Sequence, residues 1–174
     1  MMDVKILRLG HRHGRDKRLT THVCLTSRAL GASNVLYSGD EDSKLEENIE
    51  ETSGRWGGNF NIQYIDSWKK ILENFDGVNV HLTMYGESVQ DKIKEIRETE
   101  KDILVIVGSQ KVPGEIYDLV DYNVAVTNQP HSEVAALSIF LHELFQGDEL
   151  DNEFKNPELK IVPRENGKEV IKND

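Results

Sequence analysis

A single cysteine, Cys24, rules out any internal disulfide, and a chain that forgoes cross-links suits a reducing compartment. Long apolar runs are missing as well. The longest, residues 103–107, has the length of a strand and falls far short of the roughly 18 residues a membrane-crossing helix needs. The opening residues, Met1-Met2-Asp3-Val4-Lys5, show no apolar core of a secretory signal. These absences predict a cytoplasmic protein without membrane contact. The signatures of several enzyme classes are absent too. No G-x-G-x-x-G follows the first apolar run, and no G-x-x-x-x-G-K-[ST] occurs. No G-x-S-x-G elbow offers an activated serine. His11, His13 and His22 lie near one another but lack an H-E-x-x-H frame or a cysteine pair, and His142-Glu143 has no second histidine four residues on, so no metal is expected. Cys24 lies in an apolar helical stretch and reads as a small core residue rather than a nucleophile.

The 174 residues fit one domain, placed at residues 1–147 with a less periodic extension at 148–174. A hydrophobic content of 37% and a charged content of 30% describe a soluble globular chain. The net charge of −10 argues against a nucleic-acid partner when taken as a bulk number. Its distribution argues otherwise. Arg8, Arg12, Arg15, Lys17 and Arg18 cluster against one acid, Asp16. Asp40, Glu41, Asp42, Glu46, Glu47, Glu50 and Glu51 cluster against Lys44. Two solvated faces, ion pairs between the two runs, or a local phosphate site on an acidic body all fit this pattern.

Strand-like and helix-like patterns alternate along the chain. Strands are predicted at residues 4–9, 34–37, 61–65, 78–82, 103–107 and 122–126. Helices are predicted at about 19–30, 42–53, 67–75, 87–99 and 132–145, with a short turn at 115–120. Residues 160–163 and 168–171 read as a short hairpin or a loose tail. Strands separated by helices imply a mostly parallel sheet flanked by helices, an α/β fold. Ligands in such folds bind at the carboxyl ends of the strands, which directs attention to the loops at 10–18, 83–86, 108–114 and 127–131.

Two of these loops carry unusual strings. In Asn123-Val-Ala-Val-Thr-Asn-Gln-Pro-His-Ser-Glu-Val-Ala-Ala-Leu137 a strand runs into a polar loop and a helix starts at once. Backbone amides at such a junction face the cleft, and Asn128 and Gln129 offer both donors and acceptors. Ser132 as a plain helix cap explains part of the string only. In Val107-Gly-Ser-Gln-Lys-Val-Pro-Gly114, Gly108 permits close backbone approach and Pro113 can open a helical turn. Taken by themselves, these residues leave open an enzyme, a non-catalytic RNA- or nucleotide-binding module, and a flavodoxin-like protein.

Arg8-Leu-Gly-His-Arg12, Arg15-Asp-Lys-Arg18, Thr20-Thr-His-Val23, Leu82-Thr-Met-Tyr-Gly86, Val107-Gly-Ser-Gln-Lys-Val-Pro113 and Asn128-Gln-Pro-His-Ser-Glu-Val-Ala-Ala136 stand in an order and spacing that resemble the archaeal tRNA (cytidine-56-2′-O)-methyltransferases, a family of the SPOUT class. The resemblance spans about residues 4–145. It implies a SPOUT-type α/β knot with a deep trefoil knot in the carboxyl-terminal half, a topology that general folding rules would exclude. It also implies S-adenosylmethionine as cofactor, tRNA as substrate, and a homodimer in which two subunits complete each site. The implied reaction is methylation of the ribose 2′-hydroxyl of cytidine 56 in the TΨC loop. Carried over onto this sequence, Leu82, Met84 and Gly86 would wall the cofactor pocket. Gly108, Ser109, Gln110, Lys111 and Val112 would supply a second wall, and Val126, Thr127, Asn128, Gln129, Pro130, His131, Ser132 and Glu133 a third. Arg18 is the first candidate for the catalytic arginine, with Arg15 and Arg12 as alternatives. The segment departs from the Asn-then-Arg motif of related bacterial enzymes. Proton removal would fall to phosphate, His22 or water.

Overall fold

Parallel strands need a crossover that returns the chain to the same end of the sheet, and a helix is the usual solution. The computed structural model, which describes residues 2–108 and 112–173, meets this need repeatedly. Strands β1 (Val4–His11), β2 (Asn34–Gly39), β3 (Asn61–Tyr64), β4 (Val78–Ser88), β5 (Ile103–Val107) and β6 (Tyr122–Ala125) form one six-stranded sheet. Their order is β3-β2-β1-β5-β4-β6, and every neighbouring pair is parallel.

The side-chain alternation of a strand splits this sheet between two cores. In β5, Ile103, Val105 and Val107 face one core, while Leu104 and Ile106 face the other. The larger core receives helices α1 (Lys17–Ala29), α2 (Ser43–Trp56), α4 (Val89–Glu98) and α6 (Glu133–Phe145), through residues such as Val23, Ile49, Ile93 and Phe140. The smaller core receives α3 (Trp68–Asn74) and the single turn α5 (Ile116–Leu119), through Leu72 and Ile116. Burial on both faces explains the uninterrupted apolar run in β5.

Local signals set most boundaries. Side-chain oxygens of Asp42, Ser67, Ser88 and Ser132 accept backbone N–H groups at the starts of α2, α3, α4 and α6. Several boundaries shift by a few residues from the sequence expectation, and two of these shifts bear on the site. Strand β1 continues past Leu9 to His11, because Gly10 adopts φ +68° and creates a register shift between Arg8 and His11. Strand β4 leaves the sheet after Leu82 and returns at Glu87 and Ser88, which pair with Val124 and Ala125 of β6. The helix expected from residue 87 therefore starts at Val89.

Beyond α6 lie a 3₁₀ turn (Asp148–Asp151) and an antiparallel hairpin of β7 (Leu159–Val162) and β8 (Glu169–Lys172). The connecting segment is tied to the body. Gly58 N–H donates to Lys155 O (2.9 Å), and Arg28 lies over the Phe154 ring at 4.4 Å while donating to Gly57 O (2.6 Å).

Candidate active site

The carboxyl ends of β4, β5 and β6 enclose a cleft of about 840 Å³. Its walls come from three chain segments. One is the excursion of β4, supplying Leu82, Thr83, Met84 and Tyr85. Another is the end of β5 and the residues after it, supplying Gly108 and Val112. The last is the β6–α6 junction, supplying Val126, Gln129, Pro130, His131, Ser132, Glu133 and Ala136. His81 and Tyr117 complete the lining.

Most residues carried over as cofactor walls meet here: Leu82, Met84, Gly108, Val112, Val126 and Gln129 through Glu133. Ser109, Gln110 and Lys111 lie outside the described residues. Gly86, Thr127 and Asn128 do not line the cleft. Asn128 acts one step behind it. Its side-chain amide donates to Met84 O (2.7 Å) and Gly86 O (3.1 Å), clamping the β4 excursion. Gly86 is where that excursion rejoins the sheet. A Cβ there would lie 2.5 Å from Asn123 C and O and 2.6 Å from Val124 N, all of them backbone atoms that cannot swing aside. We expect Gly86→Ala to force β4 and β6 apart and cost at least the roughly 1–3 kcal/mol typical of overpacking, read as a lower midpoint in urea denaturation; an unchanged midpoint would mean the two strands can separate freely.

Thr83, Tyr85 and Ala136 stand within the motifs quoted above without an assigned place in the wall, and His81 and Tyr117 lie outside those motifs. His81 is only 1% exposed. The Asn123 side-chain amide donates to Tyr117 O (2.8 Å), which fixes its orientation and turns its oxygen toward His81 Nδ1 at 2.9 Å. Nδ1 therefore carries the proton and donates. The imidazole also meets the Tyr117 ring edge-on, with centroids 5.0 Å apart, and the Tyr117 and Thr83 hydroxyls lie 3.0 Å apart. Burial lowers the His81 pKa, and the bond to Asn123 only partly opposes it. An unfolded chain protonates this histidine below about pH 6.5, whereas the folded chain resists doing so. The contribution of neutral His81 is thus fully present above that pH and declines as pH falls toward the folded value. Urea titrations of wild type and His81→Gln should show the wild-type advantage shrinking between neutral and mildly acidic pH. A constant difference would contradict this.

The basic loop is sorted by the structure into engaged and unengaged groups. Arg8, 0% exposed, is not part of the loop surface at all. It shares the inward face of β1 with Val4 and Ile6, donates through Nη1 to Leu9 O (2.8 Å), and sets Nη2 3.4 Å from Glu133 Oε1. Burial lowers its pKa, while Glu133 and Asp16 pull it back up. Glu133 thus joins the cleft to a buried cation beneath α6. Arg12 is held by Asp16 through two bonds, Nε–Oδ2 at 2.8 Å and Nη2–Oδ1 at 3.0 Å. That contact keeps the Asp16 carboxyl below its usual range. Arg15 and Arg18 are exposed and form no ion pair among the described residues. None of Arg12, Arg15 and Arg18 lines the cleft of its own chain.

The acidic run meets the loop at one end. Asp42 Oδ2 lies 3.4 Å from His11 Nε2 and 3.2 Å from His13 Nδ1, and Asp40 accepts the His13 N–H (2.9 Å). His11 Nδ1 lies 2.7 Å from the Thr20 hydroxyl. Thr20, His11 and Asp42 mimic a nucleophile–base–acid row, but all three are buried and none lines the cleft. The row holds α1 and α2 to β1. Cys24 is buried in the larger core, where burial pushes its thiol up to about 12, so it stays protonated and inert.

Comparison with known proteins agrees with this geometry. The tRNA ribose 2′-O-methyltransferase family aTrm56 matches residues 56–171, more than half of the chain and including the terminal hairpin. The tRNA (cytidine(56)-2′-O)-methyltransferase of Methanobrevibacter smithii is 50% identical over 177 residues, covering 100% of this chain and 98% of that protein. The TrmH/SpoU tRNA modifying enzyme of A. aeolicus shares the fold with a TM-score of 0.62 at 22% identity, over 86% of this chain and 77% of that one. The SpoU methyltransferase AviRb of Streptomyces viridochromogenes, solved with the cofactor AdoMet, gives a TM-score of 0.60 at 11% identity, over 84% of this chain and 58% of that one. With an α/β sheet of this order and a relative this similar along its whole length, the chain belongs to the tRNA ribose 2′-O-methyltransferase family aTrm56.

Proposed function

We propose that this protein transfers a methyl group from S-adenosylmethionine to the ribose 2′-hydroxyl of cytidine 56 in the TΨC loop of tRNA. The observation that carries the reading is the cleft at the carboxyl ends of β4, β5 and β6, whose three wall segments all lie within the residues 56–171 that match the family. Its volume of about 840 Å³ lies within the range of small-molecule sites. Its chemistry fits the donor. Leu82, Val112, Val126 and Ala136 offer apolar walls for an adenine ring. Gly108 lets the Val112 side chain pack against the end of β5, since a Cβ there would come within 2.0 Å of Val112 Cγ2. Glu133, which lines the cleft, already has a cation beside it, with Arg8 Nη2 3.4 Å from its Oε1. Met84, Gln129, Pro130, His131 and Ser132 complete the holding surface.

When bound, the donor supplies an electrophilic methyl group on its sulfonium. The protein's own work is to exclude water, align the ribose and stabilise charge on its oxygen. Arg18 is the residue we assign to that oxygen, with Arg15 next. A guanidinium seldom gives up its proton, so its role is to hold phosphate and lower the hydroxyl pKa. Because these arginines stand away from the cleft of their own chain, the reading includes a homodimer in which Arg18 of the partner subunit reaches the cleft. It also includes the deep trefoil knot of the SPOUT class in the carboxyl-terminal half, and a cytoplasmic location.

The test has two arms. Calorimetry should show micromolar binding of S-adenosylmethionine to the purified protein. Radiolabelled donor should transfer its methyl group to an unmodified tRNA transcript, and not to one with a 2′-deoxy residue at position 56. No donor binding, or equal labelling of both transcripts, overturns the proposal.

A further inference from the structure

Tyr85 is the most exposed of the large apolar side chains, at 74%, among the described residues. Isolated exposed aromatics are common and signify nothing alone. This one stands at the cleft mouth on a segment fixed from both sides. Its own N–H donates to Thr83 Oγ1 (3.3 Å), and Thr83 is linked to the Tyr117 hydroxyl (3.0 Å). The carbonyls of Met84 and Gly86, on either side of it, both accept from Asn128. Gly86 then seats against the Asn123 backbone too closely for any side chain. The chain therefore holds a large flat ring in water, beside the site of chemistry, on backbone that is fixed before any ligand arrives.

We propose that Tyr85 is the stacking platform for the base of the target nucleotide. This rests on the methyltransferase reading given above. The 2′-hydroxyl must enter the cleft, so the base attached to the same ribose must be received close by. A base withdrawn from its neighbours loses stacking, and an aromatic ring restores it without reading sequence. A rigid ring does so at little entropic cost. Among the apolar residues that line the cleft, Leu82 is buried, whereas Tyr85 leaves 74% of its surface in solvent, open to an incoming RNA.

Tyr85→Ala, Tyr85→Phe and Tyr85→Trp should be assayed on two transcripts, one normal and one with an abasic ribose at the target position. On the normal transcript, Tyr85→Ala should lose roughly 5- to 100-fold in kcat/KM, the span of base–aromatic stacking, while Phe and Trp keep near wild-type values. The loss should persist at saturating donor, and sedimentation behaviour should not change. On the abasic transcript at saturating donor, wild type and Tyr85→Ala should react equally slowly, because the partner ring is already gone. Equal losses on both transcripts, a loss that saturating donor restores, or an altered oligomeric state in Tyr85→Ala would each overturn the stacking role. A wild-type protein that methylates neither transcript overturns the methyltransferase reading along with it. An active wild type with a flat cycle overturns the platform alone.

Discussion

Replacing Arg18 by alanine is expected to lower single-turnover methyl transfer by about 10²- to 10³-fold, the usual effect of removing one group that stabilises developing oxyanion charge, with no change in donor affinity. Arg18 is exposed near the start of α1 and forms no ion pair among the described residues. Arg12 is the weaker candidate on geometry, because Asp16 occupies its fork on both nitrogens. Freeing Arg12 would mean breaking a charge-assisted pair before any substrate is held. Arg18→Lys should recover little, since lysine keeps the charge and loses the planar fork that grips phosphate. Calorimetry with the donor separates this outcome from misfolding. Wild-type turnover in Arg18→Ala moves the assignment to Arg15, which is also exposed and forms no ion pair among the described residues.

The largest stability effect is expected at Arg8. Its side chain is completely enclosed, and its partner Glu133 keeps a buried oxygen that no other described group satisfies. Truncation to alanine empties a large volume and leaves that carboxylate without its cation. Breaking a buried pair from one side costs about 3–5 kcal/mol, a large fraction of a typical domain's margin. Arg8→Met refills the space with apolar atoms, and paired with Glu133→Gln it removes both charges. That double variant should recover much of the loss, because an apolar replacement is often no worse than a buried pair. Urea denaturation of the single and double variants reads both results. An Arg8→Ala protein as stable as wild type would show that the pair contributes nothing. Cofactor affinity in the double variant is the second readout, since Glu133 lines the cleft.

Arg8 also shows where sequence reading succeeds and fails. Counted by charge, it joins Arg12, Arg15 and Arg18 in a surface cluster. Counted by parity, it follows Val4 and Ile6 on the inward face of β1, which is where it lies. The same parity places His81 beneath the cleft, between Val80 and Leu82 of the opposite face. Alternation is thus legible in the sequence, whereas the burial of one polar residue within it is not, because the groups that pair with Arg8 and His81, Glu133 and Asn123, lie far along the chain. The helix starts near residues 42, 67 and 132 were legible because a capping side chain acts within one turn. The strand order was not, because pairings such as β1 with β5 join residues far apart in the chain. The return of β4 at Glu87 and Ser88 was hidden for a related reason. Those residues satisfy a helix start locally, and only Val124 and Ala125, distant in sequence, make them a strand. Tyr117 carries no signal of its own, since a single-turn helix has no periodicity to reveal its facing side.

The cleft is built against the rim of the sheet, where β6 is the outermost strand and has four residues. Short edge elements are held by fewer bonds than central ones and open at lower free energy than the molecule as a whole. The binding walls on this rim therefore open more easily than the central strands β1 and β5. A small molecule lodged between them works as a fastener, closing by mass action a seam that heat would otherwise loosen.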